Sequence, residues 1–260
     1  MIKYRDITAK DNQTIKLATA LQKSAKSRKE NGLFVLEGLR LCNDAATCGL
    51  SFKTVIVSYS AAEKLHNDIE NLRNTTNDFV RVSDALFKKI SDTVTPQGVL
   101  AIVNIPKISK SISNTGRYIA LEHMADPSNI GAVARTAEAL GVSGLIVSND
   151  SCDIYSPKVL RASMGTVLRL PIYFCDDIIN FLDSKSLRGF ACIPKETADL
   201  SFGKYIFSDG DAVIIGNEAN GISKKTIKNA YKTITINMPG SVESLNAASA
   251  AAIAIWELVK

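Results

Sequence analysis

The chain has 260 residues with 46% hydrophobic content, enough for one large domain or two modest ones, so disorder is excluded as the default. Lysine and arginine number 31 against 26 acidic residues, a net charge of +5. There is no charged-then-apolar leader, no run approaching the roughly 20 apolar residues of a membrane helix, and no Cys-x-x-Cys pair among five cysteines, so we expect a soluble cytoplasmic protein rather than an exported or disulfide-built one.

Residues 1–30 concentrate the positive charge: Lys3, Arg5, Lys10, Lys16, Lys23, Lys26, Arg28 and Lys29 stand against Asp6, Asp11 and Glu30. Such a basic arm suits a polyanion, nucleic acid above all, although a solvated helix face would carry the same charges. Residues 14–30 read as a helix with Ile15, Leu17, Ala18 and Leu21 on one side, stopped by Asn31-Gly32. Strands at 33–36, 54–57, 79–82 and 99–105 then alternate with helices at 39–48, 61–72 and 84–90, giving a small α/β domain over 1–105. Residues 106–116, rich in Ser and Lys and without periodicity, read as a linker.

A second alternating series fills 117–260, with strands at 118–121, 144–147, 172–174, 190–193, 212–215 and 233–236. Helices are expected at 130–140, 157–164, 178–182, 224–230 and 245–259. These strands are apolar without alternation, the pattern of a parallel sheet covered on both faces, so the fold class is α/β with a parallel sheet. Neither a Gly-x-Gly-x-x-Gly nor a P-loop is present. His66 and His123 are isolated, leaving no zinc ligand set and no Ser-His-Asp triad, and no metal is expected.

Three polar clusters lie where strands of this second series end, the edge at which open α/β sheets gather ligands. Residues 129–136 read Asn-Ile-Gly-Ala-Val-Ala-Arg-Thr, with Ser128 or Asn129 able to cap the helix. Arg135, near the helix start, is placed to meet a phosphate or a developing oxyanion, or to pair with Glu138 as an ordinary surface arginine. Residues 216–221 read Gly-Asn-Glu-Ala-Asn-Gly, two glycines bracketing Asn217, Glu218 and Asn220 in a close backbone approach or a plain turn. Residues 236–246 read Ile-Asn-Met-Pro-Gly-Ser-Val-Glu-Ser-Leu-Asn ahead of a small-residue helix, where Ser244 and Asn246 cap the helix or face the pocket.

In this order, Asn129-x-Gly131-x-x-x-Arg135-Thr136, Gly216-Asn217-Glu218-x-x-Gly221 and Met238-x-Gly240-x-x-Glu243-Ser244-Leu245-Asn246 resemble the three motifs of the SpoU-TrmH branch of the SPOUT methyltransferases. The segment 156–165, Ser-Pro-Lys-Val-Leu-Arg-Ala-Ser-Met-Gly, resembles the same family. Phe34-Val35-Leu36-Glu37-Gly38 and Thr95-Pro96-Gln97-Gly98-Val99 resemble the ribosomal-protein-like domain that precedes the catalytic domain in many members and binds structured RNA. The resemblance implies S-adenosylmethionine-dependent methylation of a ribose 2′-hydroxyl, with 23S rRNA and a guanosine as the expected target. A tRNA enzyme and a catalytically inactive RNA-binding member are the alternatives. It further implies a homodimer whose sites are completed by the partner subunit, and a C-terminal trefoil knot where strand alternation alone gives an unknotted sheet.

The resemblance also assigns residues. Arg135, Asn129, Glu218, Ser244 and Asn246 are the expected catalytic set. Gly216, Asn217, Ile236, Met238 and Leu245 are the expected cofactor contacts. A guanidinium stays protonated, so Arg135 reads better as a charged stabiliser of the developing alkoxide than as a base, with the flanking phosphate or a water taking the proton. The chain departs from the family at Ala219, which adds a side chain where close approach to the cofactor is expected, and at Asn237, which lacks proline's fixed φ; both are expected to weaken cofactor affinity.

Overall fold

A computed structural model describes every residue except Met1, 107–110, 195–196 and Glu243. Part of the expected linker and the glutamate of the third motif therefore lie outside the described residues. Two compact units form: Met1–Lys107 with Tyr155–Leu168, and Ile108–Ile154 with Arg169–Lys260.

In the first unit, β1 (Tyr4–Ile7), β2 (Leu33–Glu37), β3 (Phe52–Ser58), β4 (Phe79–Val82) and β5 (Val99–Asn104) form a sheet of order β1-β4-β3-β5-β2. β1, β4 and β3 run parallel, while β5 is antiparallel to β3 and β2. The expected helix over 14–30 is two helices, α1 (Gln13–Lys23) and α2 (Ala25–Asn31), because Ser24 is extended and turns its hydroxyl to cap Ser27 N. Ile15, Ala18 and Leu21 of α1 are buried in the same core as Ile56, Phe87 and Leu100. The leading residues are thus part of the fold, and several of their charges are spent internally. Arg5 pairs with Asp78 at 2.9 Å, Asp6 with Arg81 at 2.9 Å, and buried Arg28 donates to Leu21 O.

The other elements of this unit are α3 (Leu39–Thr47), α4 (Tyr59–Lys64), α5 (His66–Glu70) and α6 (Asp84–Ile90). The two stretches that carry the first-domain resemblance converge. Glu37 accepts from Asp92 N at 2.9 Å and Thr93 Oγ1 at 2.6 Å, while Gln97 Oε1 accepts from Leu39 N at 3.1 Å at the head of α3. Burial raises the Glu37 carboxyl, and hydrogen bonds from Ser91, Thr93, Asp92 N and Gln22 outweigh it and hold the group below its usual range. The segment Tyr155–Leu168 joins this unit through its helix α8 (Pro157–Ala162): Tyr155 stacks on Phe34 at 4.9 Å and Arg161 pairs with Asp92 at 2.8 Å.

In the second unit, strands β6 (Tyr118–Leu121), β7 (Gly144–Ser148), β8 (Ile172–Cys175), β9 (Arg188–Cys192), β10 (Leu200–Ser201), β11 (Asp211–Ile215) and β12 (Lys232–Thr235) pair entirely in parallel, in the order β10-β12-β9-β11-β6-β7-β8. Its helices are α7 (Pro127–Ala139), α9 (Ile178–Ser184), α10 (Lys224–Asn229) and α11 (Ala247–Val259), with α11 packed on α7 and β11 and α9 packed on β7 and β9. Helix α7 starts earlier than expected, and its cap is Asp126 rather than Ser128 or Asn129. Pro127 at the first helical position explains the shift, since its fixed φ suits a helix start and its missing N–H needs no partner. Small residues let α11 lie close: Ala247, Ala251 and Ala254 are buried on its inner side.

Just past β6, the buried carboxylate of Glu122 accepts from Ser223 N at 2.8 Å, Ser223 Oγ at 3.0 Å and Thr226 Oγ1 at 2.5 Å, tying the head of α10 to the sheet. Replacing it by alanine strands those donors. Glu122→Ala is expected to cost about 1–3 kcal/mol, read as a lowered urea midpoint, and Glu122→Gln less.

Candidate active site

β6 and β11 are neighbours in register, Leu121 opposite Ile215, so the first two polar clusters leave the same sheet edge side by side. From β6 the chain builds outward through β7 to β8, then returns across the sheet to β9, which makes this edge the reversal point where such sheets bind ligands. A cavity of about 430 Å³ opens there, at the ends of β9, β11 and β12.

Its floor is the second cluster. Asn217 N donates to Gly221 O at 3.1 Å and Gly221 N to Asn217 O at 2.9 Å, while Asn217 Oδ1 accepts from Ala219 N at 2.8 Å and Asn220 N at 3.1 Å. A Cβ at Gly216 would fall 2.3 Å from Gly221 C and 2.4 Å from Ile222 N, so this tight closure admits only glycine. Gly221 takes the left-handed conformation, φ 67°. Ala219 has no positive φ, so its departure from the family pattern carries no backbone strain. Asn237 is exposed and outside the cavity lining, between Ile236 and Met238, which line it.

The catalytic candidates are joined across long sequence separations. Asn129, buried on the first turn of α7, donates its amide to Glu218 Oε1, and Asn246 Nδ2 donates to Asn129 Oδ1 at 3.1 Å. Asn246 Oδ1 also accepts from Ala248 N at 2.9 Å and Ser249 N at 3.3 Å. Asn246 therefore does both jobs the sequence left open, capping α11 and reaching the site, and the helix begins two residues later than expected. Ser244 lines the cavity together with Gly216, Asn217, Glu218, Ile236, Met238 and Leu245.

Arg135 is placed differently. It is exposed on α7, does not line the cavity and has no hydrogen bond or ion pair among the described residues. The Glu138 pairing is taken by Arg169, at 2.6 and 2.9 Å. Arg135 lies on an exposed stripe of α7 with Ser128, Ala132 and Ala139, and the adjoining α11 exposes Ser249, Ile253 and Trp256, the last 58% accessible.

Sequence reasoning missed Cys192, Ile193, Pro194 and Thr235, which complete the wall from β9 and β12. The only signal was an apolar strand ending in proline. Burial pushes the Cys192 thiol up to about 12, and likewise the Cys42 thiol to about 12. Burial thus holds both thiols protonated at pH 8, which disfavours Cys192 as a nucleophile despite its position. Iodoacetamide at pH 8 should leave both unlabelled in the native protein and label them in urea, as read by mass spectrometry.

The cavity suits a nucleoside-sized ligand. Ile193, Ile215, Ile222, Ile236, Met238 and Leu245 offer apolar contact, and the loops bring backbone polar groups, with Glu218 the charged side chain among the lining residues. S-adenosylmethionine fits that chemistry through its adenosine. Among the described residues no group of three or more His, Cys, Asp or Glu is arranged to hold a metal ion, and no helix is long and apolar enough to cross a membrane.

A parallel sheet with an apolar, backbone-walled cavity at its reversal point, flanked by an amide–carboxylate chain, defines an α/β enzyme for a nucleoside-type cofactor. The chain belongs to the SpoU rRNA methylase family, whose model matches residues 116–256, and residues 12–101 match the MRM3-like substrate binding domain. It is 30% identical to an uncharacterized tRNA/rRNA methyltransferase of Synechocystis, over 96% of this chain and 92% of the relative. It is 27% identical to the 23S rRNA (uridine(2479)-2′-O)-methyltransferase of Streptomyces viridochromogenes (93% and 87% covered) and 23% identical to the 23S rRNA (guanosine(2553)-2′-O)-methyltransferase of Bacillus subtilis (98% and 99%). The AdoMet-bound rRNA methyltransferase from Sinorhizobium meliloti has the same architecture, with TM-score 0.85 at 26% identity over 98% of this chain and 97% of that one.

Proposed function

We propose that this protein transfers a methyl group from S-adenosylmethionine to a ribose 2′-hydroxyl of ribosomal RNA. The observation that carries the proposal is that the second and third motif stretches line one cavity, while Asn129 of the first is tied to it through hydrogen bonds with Glu218 and Asn246. Gly216, Asn217, Ile236, Met238 and Leu245 would hold the cofactor, largely by backbone and apolar contact. Once bound, S-adenosylmethionine supplies an electrophilic methyl on a good leaving group, which leaves the protein to position and activate a weak nucleophile. Glu218, Asn129, Asn246 and Ser244 orient the ribose, and the charged Arg135 stabilises the developing alkoxide and holds a flanking phosphate.

Since Arg135 lies outside the cavity of its own chain, the reading includes a homodimer in which the exposed α7 and α11 stripes meet their copies and Arg135 serves the partner's site. The accessible Trp256 and Ile253 support such an interface. The reading also takes the C-terminal trefoil knot of the family, a 23S rRNA target and a cytoplasmic setting. Guanosine remains the preferred nucleotide, the relatives dividing between guanosine and uridine.

Calorimetry with S-adenosylmethionine tests the enzyme reading: one site per chain is expected, and absence of binding by the folded protein would leave an RNA-binding module. A 2′-O-methyl map of rRNA from cells with and without the gene tests the substrate. One site should disappear from 23S rRNA, and an unchanged rRNA map with a changed tRNA map would move the target to tRNA.

A further inference from the structure

The first unit carries two adjoining hollows that the methyl-transfer chemistry does not use. One, of about 710 Å³, opens between the head of α3, helices α4 and α5, and residues 96–97. The other, of about 540 Å³, lies between the end of α3 and residues 71–75, and Asn43 lines both. The wall of the first is fixed where the two stretches of the first-domain resemblance meet. Gln97 Oε1 accepts from Leu39 N at 3.1 Å, and Gly38, at φ 97°, lets α3 start against it, since a Cβ there would lie 3.2 Å from the same oxygen.

The lining is chemically mixed. Of the unit's arginines, Arg5, Arg28, Arg73, Arg81 and Arg161 are all engaged by carboxylates or backbone carbonyls. Arg40 is the exception: it lines the first hollow with Lys64, both are exposed, and neither has a hydrogen bond or ion pair among the described residues. Asn43 is unsatisfied too. Its side-chain oxygen is closed to solvent without a hydrogen-bond partner, and its amide nitrogen makes no hydrogen bond among the described residues. A polar group left this way gains from any ligand that draws the amide round its soft last torsion into a hydrogen bond. Leu39, Leu65 and Pro96 supply apolar area for the face of a base. Asp44 and Asp68 also line the first hollow, so it is no simple anion trap; their carboxylates suit a ribose hydroxyl or a base amino group. The second hollow has no charged lining residue and offers the amides of Asn71 and Asn74, groups that read base edges. We infer that the two hollows hold consecutive unpaired nucleotides of the RNA substrate, with phosphate on Arg40 and Lys64 and a base edge on Asn43. This inference rests on the methyl-transfer reading and adds to it the surface by which the first unit grips the RNA.

The test uses the full-length protein and 23S rRNA from cells lacking the gene, with affinity measured by filter binding across a range of salt. Arg40→Gln and Lys64→Gln should each weaken binding and flatten the slope of log affinity against log salt by about 0.7–0.9, the signature of one lost phosphate contact. Asn43→Leu, close in shape, should weaken binding about tenfold with the slope unchanged, because a base contact releases no counterions. All three should keep their S-adenosylmethionine affinity and raise KM for rRNA while leaving kcat alone. Lys16→Gln/Lys26→Gln removes two charges from α1 and α2 and should flatten the slope less than Arg40→Gln/Lys64→Gln. An equal flattening means that any surface cation serves, and it overturns the site. Ultraviolet crosslinking of the wild-type complex, digested and read by mass spectrometry, should place nucleotide adducts on 39–44, 64–68, 71–75 or 96–97, and adducts confined to other segments overturn the site as well. So does binding of a free nucleoside 5′-monophosphate in the hollows with rRNA affinity unchanged in the variants, which would mark a small-molecule site. Normal methylation by the combined Arg40→Gln, Asn43→Leu, Lys64→Gln protein at unchanged KM refutes the subsite alone. A wild-type protein that binds neither rRNA nor S-adenosylmethionine refutes the reading beneath it.

Discussion

Arg135→Ala is expected to bind S-adenosylmethionine as the wild type does and to transfer its methyl about 10²–10³-fold more slowly, the usual cost of losing one donor to a developing oxyanion. The slower transfer follows from the role proposed for this residue, and the retained binding and fold follow from its place in the structure. It is absent from the cavity lining, so the cofactor does not feel its loss, and it has no partner among the described residues, so no ion pair holding the fold is broken. Arg135→Lys keeps the charge and loses the planar fork that grips a phosphate through two donors, and it should recover only part of the rate. A loss of S-adenosylmethionine affinity in Arg135→Ala would mean that the residue belongs to the cofactor site after all.

Gly216→Ala is expected to do the reverse, weakening S-adenosylmethionine binding while leaving Arg135 and the proposed dimer face intact. The added methyl meets backbone atoms of Gly221 and Ile222 at 2.3 and 2.4 Å, and no side-chain rotation can relieve that. Overpacking of this kind costs about 1–3 kcal/mol, which calorimetry would read as a roughly 10–10²-fold rise in Kd if it falls on the loop that shapes the cavity. Gly221→Ala is the control: its Cβ would meet nothing within 4 Å, so only the strain of φ 67° remains. The two variants also test the shared site. When Arg135→Ala and Gly216→Ala chains are co-expressed, a mixed dimer pairs an intact cavity with the partner's intact arginine, and at S-adenosylmethionine below the raised Kd it should exceed the activity of either parent. No recovery in a verified mixed dimer would place Arg135 in its own chain's site.

The division between what the sequence announces and what it hides follows the range of the forces involved. The parallel sheet of the second unit was legible because strands such as β7 and β11 are buried at every position and apolar except for Ser148 and Asp211 at their ends. β1 was not, because Lys3, Arg5 and Asp6 disguise a strand whose ladder partner, β4, lies more than seventy residues away. The break at Ser24 was hidden inside a continuous helical pattern, since a serine that caps one helix and ends another looks locally like any polar surface position. Residues 155–168 read as part of the second series, yet they cluster with the first unit, a choice made by the fit of Tyr155 on Phe34 that no local periodicity encodes.

The site shows the same limit more sharply. Gly216, Asn217 and Glu218 were visible as an unusual polar run at a strand end. The link from Asn129 to Glu218 spans 89 residues and that from Asn246 to Asn129 spans 117, and only the family resemblance pointed to both. His123, isolated in the sequence, meets the Asp150 carboxylate just past the neighbouring strand, 27 residues on. Sheet topology, not sequence proximity, assembles that pair.

The most direct measurement is transfer from methyl-labelled S-adenosylmethionine to rRNA lacking the gene's modification, followed by complete digestion to nucleosides and mass spectrometry. The label should appear in a single 2′-O-methylated nucleoside. Label on a base, or none in RNA with the protein folded and the cofactor bound, would contradict ribose methylation outright.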